Sequence, residues 1–359
     1  MENLPASRDI HREIVELCEQ GRRFAVLLVL KAAGSTPGRT AGRAIVHDDG
    51  VLSGTIGGGM VEAESRRRAL ESLDTCRTQV LEFEMAGEIV AGDAPICGGT
   101  MRVLVDPEPH RHREAYLAAL AARDQREAGV MVTRIQGPDP WRVQVKFFAE
   151  DRLPGASTFP AGDTLRLALE RDQPMHVISD AAPATERWEA LVEPVRARPL
   201  LVIAGGGHVG QAVALQADLV GFEVLVIDDR PEFTRPERFP DRVSARCGQI
   251  ADEIARLPFG RDTYVVLVTR GHQGDAEALA ACLNKPTTYI GMIGSRRKVS
   301  QMRNEFVRSG RTSSADFDRV YAPIGLDLGA VTVPEIATSI VAQLIAVRRK
   351  GTAERIRSR

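Results

Sequence analysis

The chain has 359 residues, 43% of them hydrophobic, which is enough to bury a core in each of two domains of ordinary size. Its 47 basic and 48 acidic residues leave a formal charge of -1 with no long run of either sign, so no strong field faces DNA, RNA or a membrane and no nucleic-acid partner is expected. A polar, charged start and the lack of any apolar run near roughly 18 residues argue against a signal peptide or membrane span, and five scattered cysteines without a CxxC pair argue against a disulfide framework or a zinc site. A cytoplasmic protein with reduced thiols and no metal site is the expectation.

Ser7 can cap a first helix in which Ile10, Ile14 and Leu17 recur at helical spacing, and Gly21 ends it. Residues 24–30 (FAVLLVL) form a continuous apolar run suited to a buried strand, while residues 43–47, the turn Asp48-Asp49-Gly50 and residues 51–56 read as a hairpin. After the triplet Gly57-Gly58-Gly59, residues 60–73 look helical, and residues 80–83, 101–105, 130–135 and 143–148 look like strands. This mixed order predicts an α+β N-terminal domain over residues 1–150.

Residues 151–198 are richer in Pro, Gly, Ala and Ser and read as a linker region or as part of the N-terminal domain, with a helix over 164–171. From 199 to 350 strand and helix patterns alternate, at 200–204, 211–219, 223–227, 264–269, 276–283 and 289–293. Strand then helix, repeated, predicts a doubly wound parallel sheet, so the whole is an α/β protein whose C-terminal domain is Rossmann-like. Residues 351–359 read as a flexible tail.

Gly205, Gly207 and Gly210 form GxGxxG directly after the strand LLVIA and directly before a helix, with His208 inside the loop. Glycines let the backbone approach a pyrophosphate, and the helix N-terminus offers unpaired N–H groups and a positive dipole. Asp228 ends the second strand, where an acid commonly accepts hydrogen bonds from a ribose diol, and Asp229 can cap the next turn. The alternative is a packing motif without a ligand.

Other strand ends carry Arg270-Gly271-His272 with Asp275, then Gly294-Ser295-Arg296-Arg297-Lys298, then Pro323-Ile324-Gly325-Leu326-Asp327, which together predict a shared site rather than ordinary turns. His272 reads as a binding or structural residue, since no carboxylate that would tune it for catalysis is identifiable. Val299, Met302 and Phe306 follow at helical spacing, so Arg296, Arg297 and Lys298 fall in a first turn that Ser295 can cap. Cations there should each cost about 0.3–1 kcal/mol unless an anion or nearby acid offsets them. An anionic ligand group is expected beside them, against the alternative of a solvated charge run. Gly57-Gly58-Gly59, opening the helix that holds Glu62, forms either an anion nest or a tight turn.

On these residues the chain resembles the XdhC/CoxI family over nearly its whole length. The matching segments are Gly34-Ser35-Thr36-Pro37, residues 54–59 (GTIGGG) with Glu62, Cys97-Gly98-Gly99, residues 205–213 (GGGHVGQAV), Asp228-Asp229-Arg230-Pro231, Thr269-Arg270-Gly271-His272, residues 289–298 (YIGMIGSRRK) and residues 323–330 (PIGLDLGA). The resemblance implies a molybdenum-cofactor chaperone without independent turnover. Such a protein binds a molybdopterin-type cofactor as cargo, assists its sulfuration with a cysteine desulfurase, and delivers it to an apo molybdenum hydroxylase of the xanthine dehydrogenase type. It also implies a use for Cys97, as a contact to the cofactor or a sulfur relay, against the alternative of a buried core thiol. The chain departs from the family pattern at Gly38-Arg39-Thr40-Ala41, at Thr332-Val333-Pro334-Glu335, and at Gln343, where Glu is common. An NAD(P)-dependent oxidoreductase and a nucleotide-sensing regulatory module are the competing readings, because the glycine loop and Asp228 also suit NAD(P) or another nucleotide. A homodimer is the commonest soluble assembly.

Overall fold

The computed structural model describes residues 9–85, 99–138, 140–155, 160–179, 187–260 and 262–351. Its contacts divide the chain into two compact units, Met1–Ala197 and Arg198–Arg359.

In the first unit α1 (Ile10–Glu19) is capped by Asp9, whose carboxylate accepts from the His11 N–H at 3.2 Å; Ser7 lies outside the described residues. Strands β1 (Phe24–Gly34), β2 (Arg43–His47), β3 (Leu52–Thr55), β4 (Gln79–Met85) and β5 (Gly99–Asp106) form an antiparallel sheet in the order β3-β2-β1-β5-β4, with α2 (Gly59–Thr75) on one face. The unbroken run at residues 24–30 follows from the central place of β1. Ala25, Leu27 and Val29 pack with Val61, Ala69 and Leu73 of α2, while Phe24, Val26, Leu28 and Leu30 face the opposite core.

That opposite core is closed by α3 (Arg113–Asp124) and a second antiparallel sheet, in which β6 (Gly129–Gln136), β7 (Arg142–Ala149), β8 (Met175–Ile178) and β9 (Trp188–Val195) take the order β7-β6-β9-β8. The stretch 151–198 is therefore no bare linker. It supplies α4 (Gly162–Arg171), β8 and β9, and β9 pairs with β6 along its full length, from Gly129↔Val195 to Gln136↔Trp188. Pro- and Gly-rich composition around these short elements masks them, because their stability comes from pairing with β6 rather than from local propensity.

In the second unit β10 (Leu200–Ala204), β11 (Glu223–Asp228), β12 (Val243–Cys247), β13 (Thr263–Leu267) and β14 (Tyr289–Met292) form an all-parallel sheet in the order β12-β11-β10-β13-β14. Helices α5 (His208–Leu219) and α10 (Val333–Lys350) cover one face through Val213, Ala217, Ile340 and Leu344. On the other face lie α6 (Ile250–Arg256), α7 (His272–Cys282), α8 (Arg296–Arg308) and the short α9 (Ser314–Phe317), with Ile254, Leu279, Met302, Phe306 and Phe317 buried. Burial on both faces is what makes parallel strands such as LLVIA continuously apolar.

Beyond α9 the chain runs along β14: Tyr321 N–H donates to Ile290 O at 2.9 Å and Ile324 N–H to Met292 O at 3.0 Å. Gln343, 3% exposed, ties the next turn to α10. Its Oε1 accepts from Tyr289 OH (2.6 Å) and Gly325 N–H (2.9 Å), and its Nε2 donates to Gly325 O at 3.2 Å. A glutamate here has no N–H for that last bond.

Candidate functional site

Because β10 lies between β11 and β13, the chain leaves it first to one side and then to the other, and this reversal opens a crevice at the carboxyl ends of β10 and β13. Gly205 begins the loop over the crevice at φ +110°, where a Cβ would stand 2.5 Å from Val268 O, so the loop lies directly on the end of β13. Gly210 packs α5 against the strand: a Cβ there would collide with Gly205 O. Gly207 differs from both. It is the N-cap of α5, has no side-chain cap, and a Cβ on it would meet no atom within 4 Å. The first turn of α5, beginning at exposed His208, thus presents backbone N–H groups and the positive helix end to open space.

Asp228, 1% exposed, is already committed. Its Oδ2 accepts from Gly206 N–H at 2.7 Å, and its two oxygens take the Arg230 guanidinium at 2.9 and 3.0 Å, with Arg230 N–H at 3.0 Å as well. Burial raises the carboxyl pKa, but these donors, Arg230 foremost, outweigh it and hold the group below the usual carboxylate range. The acid closes the glycine loop instead of standing open to a ribose diol. Arg230 in turn lies over Phe233, 3.8 Å from its ring centroid, and Phe233 also receives Arg238, which donates to Gly206 O at 3.2 Å. Neither Arg230 nor Arg238 stands out as a site residue in the sequence; Arg230 carries a signal only as part of the matching segment Asp228-Asp229-Arg230-Pro231.

Across the crevice, Arg270 is exposed, Gly271 caps α7 at φ +92°, and His272 is the first residue of that helix, its side chain outside what is described. Ser295 caps α8 as its sequence position predicts, accepting from Lys298 N–H at 3.3 Å. Of the three first-turn cations, Arg296 and Arg297 are exposed, whereas Lys298 Nζ donates to Asp275 Oδ2 at 2.7 Å. Asp275 is fully buried, and its Oδ1 accepts from Thr269 N–H (3.2 Å) and Thr269 Oγ1 (2.5 Å). Of the two offsets expected for these cations, an anion or a nearby acid, Lys298 finds the acid in Asp275.

The first unit draws its singled-out segments to one end of the sheet that contains β1. A Cβ on Gly57 would strike Gly38 and Pro37, and one on Gly99 would lie 2.7 Å from Ser35 O, so residues 34–38, 54–59 and Gly99 are in backbone contact. The glycine triplet is no vacant nest. Glu62 Oε2 accepts from Ile56 N–H (3.0 Å), Gly58 N–H (3.2 Å) and Thr55 Oγ1 (2.6 Å), while Gly57 N–H goes to Thr55 Oγ1 at 3.0 Å. The tight-turn reading fits, with the chain's own carboxylate where an external anion would lie. Cys97 and Gly98 fall outside the described residues, immediately before Gly99. The described cysteines, Cys18, Cys76, Cys247 and Cys282, are free thiols. Among the described residues no His/Cys/Asp/Glu cluster could hold a metal, and no helix is long and apolar enough to cross a membrane.

A Rossmann-type unit with an open helix N-terminus at its crevice, joined to an α+β unit whose glycine segments converge, defines the class of protein. A family profile described as the XdhC Rossmann domain matches residues 201–344, and one described as the XdhC and CoxI family matches residues 17–84. The chain belongs to the XdhC/CoxI family. It is 25% identical over 344 residues to an uncharacterized protein of Escherichia coli, YqeB, matching 96% of this chain but 47% of that protein, so it spans about half the length of that relative. It is 22% identical to a Bacillus subtilis protein named as a probable xanthine dehydrogenase subunit, over 95% of this chain and 98% of the relative. The fold is shared with a Bacillus halodurans protein whose crystal structure is described as a xanthine dehydrogenase, at a TM-score of 0.72 and 20% identity, covering 94% of this chain and 96% of the other.

Proposed function

We propose that the chain serves the maturation of a xanthine dehydrogenase-type molybdenum hydroxylase: it carries a molybdopterin-type cofactor as cargo, supports its sulfuration with a cysteine desulfurase, and hands it to the apo-enzyme. Family membership across both units motivates the reading, and the observation that carries it is the open first turn of α5 at Gly207. A pterin cofactor bears a phosphate, or a pyrophosphate in its dinucleotide form, and a helix N-terminus with free N–H groups suits either. Arg297, exposed at the start of a helix where its charge is unfavourable without an anion, adds attraction for the same group. An NAD(P)-dependent oxidoreductase finds less support, because Asp228 is occupied by Arg230 and Gly206 rather than presented to a diol.

The test is delivery. Protein loaded with molybdenum cofactor is mixed with an apo-hydroxylase, and activity is compared with that given by free cofactor; faster or more complete activation, with no oxidation of NAD(P)H by the protein alone, is expected. Steady NAD(P)H turnover, or activation no better than with free cofactor, overturns the reading.

A further inference from the structure

Asp228 ends β11, the position from which the acid of a Rossmann-type unit binds the ribose hydroxyls of a dinucleotide. An ionised carboxylate offers about four acceptor sites on its two oxygens. Here all of them are taken: Oδ1 receives Arg230 N–H at 3.0 Å and Arg230 Nε at 2.9 Å, and Oδ2 receives Gly206 N–H at 2.7 Å and Arg230 Nη2 at 3.0 Å. The two backbone donors tie the turn after β11 and the glycine loop to the acid. The other two belong to one guanidinium and fall on different oxygens, which are the positions that the two hydroxyls of a vicinal diol would need.

That guanidinium is held from its other side as well. It lies 3.8 Å from the centroid of the Phe233 ring, a cation–π contact, and Asp229 Oδ1 stands 3.8 Å from Nε. Phe233 is itself fixed, because its N–H donates to Arg230 O at 3.1 Å and a Cβ on Gly206 would stand 2.6 Å from its carbonyl oxygen. The Arg230 side chain is 23% exposed against 1% for Asp228, so the guanidinium covers the carboxylate. A ribose diol reaching Asp228 must displace both side-chain contacts of Arg230. The helix end at Gly207 is different, since nothing lies within 4 Å of a Cβ built there. One half of the crevice is open, and the other is filled from within the chain.

We infer that Arg230 is a specificity-determining residue of the crevice: its guanidinium stands in for a ribose diol at Asp228, so the crevice takes a phosphate or pyrophosphate group and refuses ligands that need an adenosine ribose for anchorage, nicotinamide dinucleotides above all. The inference rests on the crevice being the phosphate site of the proposed function. It predicts a gain of binding when Arg230 is removed, which a merely structural ion pair does not.

Calorimetric titration of the full chain with inorganic pyrophosphate, NAD+ and NAD+ lacking the adenosine 2′-hydroxyl tests it. The parent should bind pyrophosphate at low salt and should hold the two dinucleotides weakly, with no preference between them. Arg230→Ala empties one position on each carboxylate oxygen, and it should bind NAD+ at least about tenfold more tightly than the parent does, and more tightly than it binds the deoxy analogue by a similar factor, as expected for hydroxyls donated to a charged acceptor. The backbone of Arg230 is extended, at φ -108° and ψ 120°, so Arg230→Val also suits the position and supplies a second variant with the same expected gain. Pyrophosphate binding without a gain for NAD+ in either variant overturns the diol assignment alone, as does a parent that already prefers NAD+ to the deoxy analogue. Absence of both pyrophosphate binding and the gain removes the phosphate site along with it. No hydroxylase enters the titration, so its result is separate from that of the delivery assay.

Discussion

Lys298 Nζ lies 2.7 Å from Oδ2 of Asp275, a carboxylate with no exposed surface, so a first-turn cation of α8 is neutralised by a first-turn acid of α7. The contact joins the two loops that follow β13 and β14. Removing one partner of such a pair strands the other as a buried charge. Lys298→Gln should therefore lower the unfolding free energy by about 2–3 kcal/mol, the ammonium being partly exposed. Urea denaturation reads this directly, and a midpoint equal to the parent's would show that the pair is dispensable.

Arg297 should behave in the opposite way. It is exposed and sits at the positive end of α8, so Arg297→Gln should leave stability within about 0.5 kcal/mol of the parent or slightly raise it. Cofactor affinity at low salt should fall about tenfold, or about 1.4 kcal/mol. Unchanged affinity would remove this arginine from the anion site.

Two glycines of the same loop should separate binding from folding. Gly207 has an ordinary φ of -63° and open space around it, so Gly207→Ala should preserve the melting temperature while its methyl group intrudes on the ligand and weakens cofactor binding. Gly210→Ala forces a Cβ into Gly205 O and should cost about 1–3 kcal/mol. Thermal melts and binding measured on both variants check the pair; the same profile for both would mean that the crevice is not open at Gly207.

Asp106 makes stability depend on pH with an unusual sign. Its pKa is raised to about 6 from 3.8, so between those values the folded chain holds a proton that the unfolded chain has released, and stability falls as pH rises through that window. Asp106→Asn should accordingly stabilise the protein by about 1–3 kcal/mol at pH 7.5 and by little near pH 4. Urea midpoints at the two pH values decide it, and a destabilised variant at pH 7.5 would contradict the burial cost.

His11 carries the opposite sign. Arg43 Nη1 donates to His11 Nε2 at 2.6 Å, which requires a neutral ring, and burial followed by the charges of Arg43 and Arg123 puts its pKa well below 6.5. The folded chain binds this proton later than the unfolded chain, so the contribution is complete above pH 6.5 and is lost as pH falls through 6.5 toward the folded value. His11→Gln should flatten the loss of stability between pH 6.5 and 5, as followed by thermal melts; an unaltered acid limb would exclude His11 as its source.

Much of this molecule follows from residues close together in the chain. The apolar run at 24–30, the strand-helix alternation after 199, the GxGxxG turn and the Ser295 cap all reflect interactions within a few positions, and periodicity and turn chemistry report those directly. Partners brought together by strand order are a different matter. That β9 completes a sheet with β6, that Gly206 reaches Asp228, and that Asp275 meets Lys298 across two loops depended on the tertiary structure. The same alternating pattern is compatible with several strand orders, and each order would bring different loops to the crevice, so which acid neutralises which base is decided only when the sheet closes.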